Sequence, residues 1–227
     1  MINEARTGVL HIVATPIGNL NDITLRALET LKAVDVIACE DTRQTAKLRH
    51  HYQISKPMVS LHEHNERSRT PGLLERLKSG ESVALVCDGG TPLINDPGWW
   101  LVHRAIEEQI PVSWIPGPTA LIGGLVLSGL PAERFVFEGF LPPKSAARRK
   151  RLEALKTESR TVVMYESPHR LLKTLQDVRD VLGDVPMACA RELTKTFEEV
   201  RRGTVSELLS HFEQHPPRGE FVVVFKP

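Results

Sequence analysis

The chain has 227 residues, of which 41% are hydrophobic and 25% are charged, and its formal net charge is +1. This balance is typical of a globular protein and excludes a collagen, a coiled coil or a disordered chain as the main state. The length is comfortable for two domains. The longest apolar run, residues 120–130, is about half the length of a membrane span and contains glycines, so we expect no segment that crosses a membrane.

The cysteines and histidines give no sign of a disulfide framework or a metal site. Cys39, Cys87 and Cys189 lie far apart in the sequence, and an odd, scattered set of this kind favours a reducing compartment. His62 and His64 have alternate spacing, but the sequence places no third ligand beside them. The first six residues contain no apolar core, so we expect no signal peptide. These observations predict a cytoplasmic protein without a bound metal.

The first half of the chain alternates strand-like and helix-like segments. Short apolar runs bounded by turn residues predict strands, and leucines with helical spacing predict the helices between them. The predicted strands are residues 9–14, 35–39, 58–61, 82–87 and 112–115. The predicted helices are residues 23–34, 45–52 and 70–78, with another that begins near residue 97. Apolar strands that alternate with helices in this way indicate a five-stranded parallel sheet covered on both faces.

A proline-rich turn at residues 116–119 leads into an apolar helix at 120–130, and we place a domain boundary near residue 120. Strands are predicted at residues 135–138, 161–165, 187–191, 197–202 and 221–225. Helices are predicted at residues 144–156, at 168–182, and at 206–212 after a capping-box sequence. The last strands have little helix between them, which indicates a mixed sheet. The predicted fold class is α/β, with an N-terminal domain at 1–120 and a C-terminal domain at 121–227.

Unusual loops follow four of the five strands in the first half. They are Ala-Thr-Pro-Ile-Gly-Asn at 14–19, Glu-Asp-Thr-Arg at 40–43, a Gly/Pro-rich segment at 88–98 and Pro-Gly-Pro-Thr at 116–119. In a parallel α/β sheet the ligand crevice lies outside the carboxyl ends of the strands. The phosphate-binding patterns G-x-G-x-x-G and G-x-x-x-x-G-K-[ST] are both missing, which argues against a dehydrogenase or an NTPase. A ligand with a nucleoside and an amino acid but no phosphate needs neither pattern.

Seven motifs stand in order along the chain. They are VATPIGNL at 13–20, ACEDTR at 38–43, DGGTPLINDPG at 88–98, PGPTA at 116–120, FEGFLP at 137–142, YESPHR at 165–170 and ARELTK at 190–195. Together they resemble one subgroup of the tetrapyrrole methylase superfamily, whose members methylate the ribose 2′-hydroxyl of a cytidine in the decoding region of small-subunit ribosomal RNA. The resemblance covers residues 8–226. It implies a two-domain fold, S-adenosylmethionine as the cofactor in the cleft between the domains, small-subunit ribosomal RNA as the partner, and a homodimer.

The resemblance also implies a set of cofactor-binding residues. Pro16 would line the pocket, and Gly89 and Gly90 would let the ligand approach the backbone closely. Asp88 offers an acceptor for hydroxyl or amino groups. The rest of the set is Thr91, Ile94, Thr119, Ala120, Tyr165, Glu166 and Leu193. The chain carries the pair Trp99–Trp100 where a single tyrosine is common in the subgroup, and we expect one indole to stack on a base or to close a dimer interface.

Methyl transfer to a ribose hydroxyl needs an aligned approach and a group that removes the hydroxyl proton. The carboxylates that are candidates for this base are Glu40, Asp41, Asp88, Asp96, Glu166 and Glu192. We favour Asp41, which follows a predicted strand at the edge of the crevice, and Glu192, which has two basic neighbours. The alternative for each carboxylate is an ion pair that fixes a loop.

A strongly basic run occupies residues 144–151, with five cations in eight positions. We expect one helix here, with its leucines toward the core and with Arg148, Arg149 and Arg151 toward solvent. These arginines and Lys144 would bind RNA phosphates, and Arg43 would grip a phosphate with two hydrogen bonds. The alternative is a solvated helix face that binds nothing.

The leading prediction is an S-adenosylmethionine-dependent methyltransferase of small-subunit ribosomal RNA. One alternative is a methyltransferase of the same fold that acts on a small molecule, a tetrapyrrole precursor. Another is a non-catalytic RNA-binding module of ribosome assembly. The basic run at 144–151 favours RNA over a tetrapyrrole, and the loops at four strand ends favour an enzyme over a binding module.

Overall fold

The computed structural model describes residues 7–227 of the chain. Residues 1–6, where we expect no signal peptide, lie outside the described residues. The described part divides into two compact units, and the division falls between Thr119 and Ala120. Each unit contains one five-stranded sheet with helices packed against it. None of the helices in the described part is long and apolar enough to cross a membrane.

The first unit is a parallel sheet covered on both faces. Its strands are β1 (Leu10–Val13), β2 (Val36–Cys39), β3 (Met58–Ser60), β4 (Val83–Val86) and β5 (Val112–Ile115). Its helices are α1 (Leu25–Ala33), α2 (Thr42–His51), α3 (Glu66–Lys78) and α4 (Trp99–Glu107), and a 3₁₀ turn at Leu20–Asp22 precedes α1. The strand order is β3-β2-β4-β1-β5, and every pairing is parallel. The predicted parallel sheet is confirmed.

The central strands are buried on both faces because their side chains alternate between two cores. In β4, Val83 and Leu85 pack with leucines of α3 and α4. Ala84 and Val86, which point the other way, pack with side chains of α1 and α2. Successive residues of a strand face opposite sides of the sheet. A continuous apolar run is therefore what a sheet covered on both sides requires.

The second unit is a mixed sheet. Its strands are β6 (Phe135–Phe140), β7 (Thr161–Glu166), β8 (Pro186–Arg191), β9 (Glu199–Thr204) and β10 (Phe221–Phe225). Its helices are α5 (Ala120–Ser128), α6 (Ser145–Leu155), α7 (Leu171–Leu182) and α8 (Val205–Gln214). The strand order is β6-β7-β10-β8-β9; β6 is parallel to β7, and the other pairings are antiparallel. The predicted mixed sheet is confirmed.

Two helices of the first unit begin earlier than the hydrophobic spacing predicts. The α2 helix begins at Thr42 rather than at residue 45, because the Asp41 side chain accepts a hydrogen bond from the Arg43 N–H and caps the helix. The α3 helix begins at Glu66 rather than at residue 70, so Pro71 lies inside it. In both cases the extra residues are polar, and an apolar period does not mark them.

Two helix starts in the second unit depend on local hydrogen bonds. The α7 helix begins at Leu171 rather than at residue 168, because a turn in which Arg170 N–H donates to the Ser167 carbonyl comes first. The α8 helix has the predicted capping box: Thr204 accepts from the Glu207 N–H, and the Glu207 side chain accepts from the Thr204 N–H.

Two neighbouring glycines of α5 differ in how closely they pack: Gly124 lies against β10, whereas Gly123 has room for a side chain. A Cβ atom on Gly124 would lie 2.7 Å from the Cβ of Val222, whereas one on Gly123 would meet the Leu193 Cδ1 at 3.4 Å. Gly124→Ala should therefore lower the free energy of unfolding by about 1–3 kcal/mol. Gly123→Ala, the matched control, should raise it by up to about 1 kcal/mol, because alanine favours a helix. Urea denaturation measures both variants, and equal stabilities would contradict this packing.

Candidate active site

The loops that follow β1, β4 and β5 meet at the carboxyl edge of the first sheet. Thr15, just after β1, exchanges two backbone hydrogen bonds with Gly90, at N···O distances of 2.8 and 2.9 Å. The Thr15 hydroxyl also donates to the Cys87 carbonyl at the end of β4. The Thr91 hydroxyl donates to the carbonyl of Pro118, in the loop after β5. These three loops therefore form one surface, as expected for a crevice at strand ends.

Glycine is required where these loops approach each other. A Cβ atom on Gly89 would lie 3.1 Å from the carbonyl oxygen of Pro16. Gly90 has a φ of +105°, a conformation that residues with side chains rarely adopt. The same closeness recurs at Gly117, where a Cβ atom would lie 3.0 Å from the Ala14 Cβ. The glycines of the motifs thus serve the packing of loop on loop as well as any approach of a ligand.

A cavity of about 140 Å³ lies in the first unit beside this surface. Two predicted cofactor-binding residues, Pro16 and Asp88, contribute to its wall. Its other lining residues are Thr15, Gly18, Leu20, Gln44, Thr45, Lys47, Leu48 and Cys87. Gln44 and Lys47 belong to α2 and are joined by a hydrogen bond of 2.7 Å. The sequence analysis missed both residues, because no motif or spacing distinguishes them from an ordinary helix face.

Carboxylates gather at the ends of β2 and β4, which are neighbours in the sheet. Asp88 accepts a hydrogen bond of 3.0 Å from the backbone N–H of Asp41. Burial is the main cause that raises the pKa of Glu40 from 4.5 to about 6, and the negative charges of Asp88 and Asp96 add to it. Burial also raises the pKa of Asp88. A carboxylate with a pKa near 6 is a stronger proton acceptor than an ordinary one and is still ionised at neutral pH.

Asp41 and Arg43 are bound to each other at the start of α2. The Asp41 carboxylate accepts a hydrogen bond of 2.8 Å from the Arg43 N–H and forms a bidentate pair with the guanidinium group. These contacts, above all the one with the guanidinium, lower the pKa of Asp41 to about 2. Of these two carboxylates at the end of β2, Glu40 therefore fits the requirement of a base better than Asp41.

In the second unit, the predicted site residues Tyr165 and Glu166 end β7. Glu166 is fully buried, and its carboxylate accepts hydrogen bonds from the Thr174 hydroxyl and the Ser167 N–H. The Arg170 guanidinium lies 3.2 Å from the same carboxylate. The Glu166 side chain therefore fastens the turn between β7 and α7. The Tyr165 ring packs edge-on against a phenylalanine of β6.

Left-handed backbone conformations fall in two of the motifs. Leu93 and Asn95, in the segment at 88–98, have φ values of +73° and +65°. Glu192 and Thr194, in the segment at 190–195, have φ values of +52° and +66°. Such conformations are uncommon for residues other than glycine and cluster at functional sites. Glu192 also forms an ion pair of 2.9 Å with Lys195, so its carboxylate stabilises the same strained segment.

The remaining predicted cofactor-binding residues lie in three places. Ile94 is exposed in the loop after β4, Thr119 and Ala120 are half-buried where α5 begins, and Leu193 is buried just after β8. Among residues 7–227, no group of three or more His, Cys, Asp and Glu side chains is arranged to hold a metal ion.

The expectation that Arg148 points to solvent is wrong. Its side chain is 3% exposed, and its guanidinium pairs with the Asp177 carboxylate of α7 at 2.6 Å. It also donates to the Pro143 carbonyl, and the Ser145 hydroxyl donates to the same carboxylate. A buried charge needs a partner, and the acid on the facing helix α7 supplies one, so the arginine side chain is stable in the interior. Arg148 ties α6 to α7.

The other arginines of the basic run are also bound to carboxylates. Arg149 pairs with Asp180 of α7 at 2.8 Å, and Arg151 makes a bidentate pair with Glu138 of β6. Both side chains remain about half exposed. Lys144 is exposed and has no ion pair among the described residues. Three of the five cations in the run at 144–151 are therefore paired with carboxylates of their own unit.

A comparison with known protein families gives a match over both units. Residues 9–209 match the family model described as Tetrapyrrole (Corrin/Porphyrin) Methylases. The chain belongs to the tetrapyrrole methylase family. It is accordingly a methyltransferase, and its two-unit α/β fold is the one that the motifs predict.

Relatives named "Ribosomal RNA small subunit methyltransferase I" match nearly all of this tetrapyrrole methylase. The Synechocystis sp. protein is 51% identical over 218 residues, which are 96% of this chain and 78% of the relative. The Thermotoga maritima protein is 50% identical over 217 residues, which are 96% of this chain and 97% of the relative.

Two solved structures share the fold at low sequence identity. A diphthine synthase has a TM-score of 0.77 and 16% identity, over 96% of this chain and 90% of its own. A cobalt precorrin-4 methyltransferase has a TM-score of 0.67 and 17% identity, over 95% of this chain and 94% of its own. These likenesses concern the fold alone.

The buried pair of Arg148 and Asp177 predicts a difference in stability between two acids on α7. Asp177→Ala leaves the Arg148 charge buried without a partner and should lower the free energy of unfolding by about 3–5 kcal/mol. Asp180→Ala removes only solvent-exposed contacts, with Arg149 and Gln176, and should cost far less. Urea denaturation measures the free energy of unfolding of both variants. A loss for Asp177→Ala no larger than that for its control would mean that the buried pair contributes little.

The raised pKa of Glu40 predicts that Glu40→Gln stabilises the tetrapyrrole methylase at neutral pH. The pKa of Glu40 is about 6 in the folded state and 4.5 for an ordinary glutamate. Folding therefore favours the protonated form, which stabilises the fold fully below pH 4.5, and this contribution is lost as the pH rises through 6. We expect the variant to gain about 1 kcal/mol or less at pH 7.5, since the group is partly solvated, and nothing at pH 4.5. Thermal melts at several pH values measure this.

Asp41→Asn is the control with the opposite sign. Because the pKa of Asp41 is lowered to about 2, its charge stabilises the fold above its ordinary pKa of 3.8, and this contribution is lost as the pH falls through 2. The variant should melt below the wild type at pH 7.5, and the difference should shrink toward pH 2. If both variants moved the melting temperature in the same direction at pH 7.5, the assigned environments would be wrong.

Proposed function

We propose that this tetrapyrrole methylase transfers a methyl group from S-adenosylmethionine to the ribose 2′-hydroxyl of a cytidine in small-subunit ribosomal RNA. The observation that carries the proposal is the identity of 50–51% with proteins named for methylation of that RNA, over 96% of the chain. The neighbours that act on porphyrins or corrins share 22% identity or less. Since one fold serves many substrates, the higher sequence identity favours ribosomal RNA over a tetrapyrrole as the substrate.

The proposed cofactor-binding residues are those that the motifs imply, and most of them lie in loops at the carboxyl edge of the first sheet. S-adenosylmethionine supplies a methyl group on a positively charged sulfur and carries no phosphate, which agrees with the missing phosphate patterns. Asp88, in the wall of the cavity, is an acceptor for hydroxyl or amino groups. The proposed set further contains Pro16, Gly89, Gly90, Thr91, Ile94, Thr119, Ala120, Tyr165, Glu166 and Leu193. Glu166 would contribute through its backbone, because its carboxylate is fully engaged in its own turn.

The proposed proton acceptor is a carboxylate at the end of β2 or in the segment at 190–195. Glu40 has the raised pKa that this role requires. Asp41 and Glu192, the carboxylates that the sequence favours, are each held by a basic neighbour. We therefore place Glu40 before Asp41 and Glu192 as the base.

Kinetics of three isosteric variants test the base. With Glu40 as proton acceptor, Glu40→Gln should lower kcat by about 10²–10⁴-fold with cofactor affinity nearly intact. The wild-type kcat/KM should decrease as the pH is lowered through about 6, because Glu40 becomes protonated there. Asp41→Asn and Glu192→Gln serve as comparisons under the same conditions. A loss below threefold for Glu40→Gln, with a larger loss for either comparison, would transfer the role to that residue.

The proposed RNA contacts use exposed cations of both units. Lys144 is exposed and has no ion pair within residues 7–227, and Arg149 and Arg151 keep about half of their side-chain surface in solvent while paired. Arg43 is bound to Asp41 but is 88% exposed. Arg148 has no part in the proposal, because its side chain is buried.

We also propose a homodimer that works in the cytoplasm. The resemblance to the RNA-methylating subgroup implies the dimer. The three cysteines Cys39, Cys87 and Cys189 are buried and free, which suits a reducing compartment. Sedimentation equilibrium measures the mass in solution.

One experiment tests the proposed reaction directly. The protein is incubated with cofactor that carries a labelled methyl group and with small ribosomal subunits, and the label is mapped along the RNA. We expect one cytidine to be labelled and the phosphodiester on its 3′ side to become resistant to alkali, because the 2′-hydroxyl is blocked. No label in RNA together with transfer to a porphyrinoid would replace the proposal with the small-molecule alternative.

A further inference from the structure

Aromatic rings and an arginine are exposed together where α3 and α4 begin. The Trp99 ring is 59% exposed and stacks on His103, with ring centroids 5.0 Å apart and planes 8° apart. The Trp100 ring lies 5.9 Å from that of Trp99, and the Arg67 guanidinium lies 4.9 Å from the Trp100 centroid. We call Arg67, Trp99, Trp100 and His103 the indole platform.

The indole platform lies at the same edge of the first sheet as the candidate active site. The α3 and α4 helices follow β3 and β4, so their first turns stand at the carboxyl ends of the parallel strands. The segment at 88–98, which contains much of the proposed cofactor site, leads directly into Trp99. A ligand held by this segment and a ligand on the platform would therefore be neighbours.

The platform is held in place before any ligand binds. Glu66, at the start of α3, accepts hydrogen bonds from the backbone N–H groups of Trp100 and Leu101, at 2.7 and 3.3 Å. A carboxylate at the first turn of a helix is stabilised by the helix dipole as well. The two helix starts are thus fixed to each other, and the rings need little reordering on binding.

Hydrophobic packing does not explain the exposed rings. The core beneath α3 and α4 is formed by leucines and small residues of both helices and the strands, and neither Trp99 nor Trp100 belongs to it. A large aromatic side chain with most of its surface in water contributes little to folding. An exposed apolar surface bordered by charge is instead typical of a binding site.

The charges around the platform favour a polyanion. Arg67 and Arg69 are exposed, and neither has an ion pair among the residues that the structure describes. The acids of the same helices are already occupied. Glu66 binds the start of α4, Glu75 binds Lys78, Glu107 binds Arg104, and Glu108 binds both of these cations. The unbalanced charge at the platform is therefore positive.

We infer that the indole platform stacks an unpaired nucleobase of the RNA substrate, next to the nucleotide that enters the active site. Single-stranded RNA is recognised by stacking of its bases on aromatic rings and guanidinium planes, with cations along its backbone. Arg67 and Arg69 supply the phosphate contacts. This inference rests on the proposed function, because it takes RNA as the substrate. A second copy of the chain is the competing occupant, and the experiment below separates the two.

The test compares two tryptophans of similar exposure. Trp99→Ala removes the stacking surface, whereas Trp114→Ala removes a 61% exposed indole on the edge strand β5 for which no ring or cation partner is described. Binding to small ribosomal subunits is measured for wild type and both variants, with circular dichroism as the check on folding. Trp99→Ala should weaken binding about 5- to 100-fold, as expected for the loss of one stacked base. Trp114→Ala should leave binding within twofold.

Two further variants test the chemistry of the contact. Trp99→Phe keeps an aromatic face and should recover most of the lost affinity. Arg67→Ala should weaken binding and lower the slope of log K against log salt by about 0.7, the value for one phosphate of a single strand. Affinity for S-adenosylmethionine should stay at the wild-type level in every variant, because none of these residues belongs to the proposed cofactor-binding set.

Other outcomes overturn the inference. Equal effects of Trp99→Ala and Trp114→Ala, or no recovery with Trp99→Phe, would show that no base stacks on the platform. Dissociation of a dimer by Trp99→Ala, seen by sedimentation with RNA binding per subunit unchanged, would assign the platform to a second copy. If the wild type methylates small subunits while the variants bind normally, the proposed function stands and the inference alone fails. If the wild type neither binds nor methylates RNA, both fail.

Discussion

Two backbone hydrogen bonds between Thr15 and Gly90 hold the candidate active site together. They join the loops that leave β1 and β4, and this contact brings Pro16 close to Gly89. Both bonds are between backbone groups, so they depend on how closely the two loops approach, and the Thr15 hydroxyl adds a bond to the Cys87 carbonyl. That is why glycine stands at both positions after Asp88: a Cβ atom at the first would press on a carbonyl oxygen, and the second has a positive φ. The position of the cavity wall and of the Asp88 carboxylate follows from this contact.

The distribution of charge differs between the two units for a physical reason. In the second unit the dense basic run of α6 meets acids on α7 and β6, and one guanidinium is buried against Asp177. In the first unit the acids beside α3 and α4 are engaged elsewhere, which leaves Arg67 and Arg69 without partners among the described residues. A run of cations along a sequence is therefore a poor guide to positive surface. What counts is whether the facing elements carry carboxylates.

Much of the fold is readable from the sequence, because each sheet imposes its own pattern. The buried strands of the first unit are continuous apolar runs, and the loops with Gly and Pro mark their ends. The burial of Arg148 is not readable, since its partner Asp177 lies on another helix, 29 positions along the chain. The environment of Glu40 is hidden for the same reason: its pKa is raised first by burial and then by the charges of Asp88 and Asp96, and the pairing of β2 with β4 brings the strand ends together. Motifs locate the loops of the site, and tertiary contacts decide which side chains remain free.

The tie between Glu66 and the start of α4 has a consequence for the segment at 88–98. This segment is anchored at one end where Gly90 pairs with Thr15, and at the other where Glu66 holds the N–H groups of Trp100 and Leu101. Surface loops ordinarily accept insertions and deletions easily. Here neither anchor can slide to absorb a change in length, because one belongs to the sheet edge and the other to a helix end. The number of residues in this loop is therefore more tightly constrained than the identity of its exposed side chains.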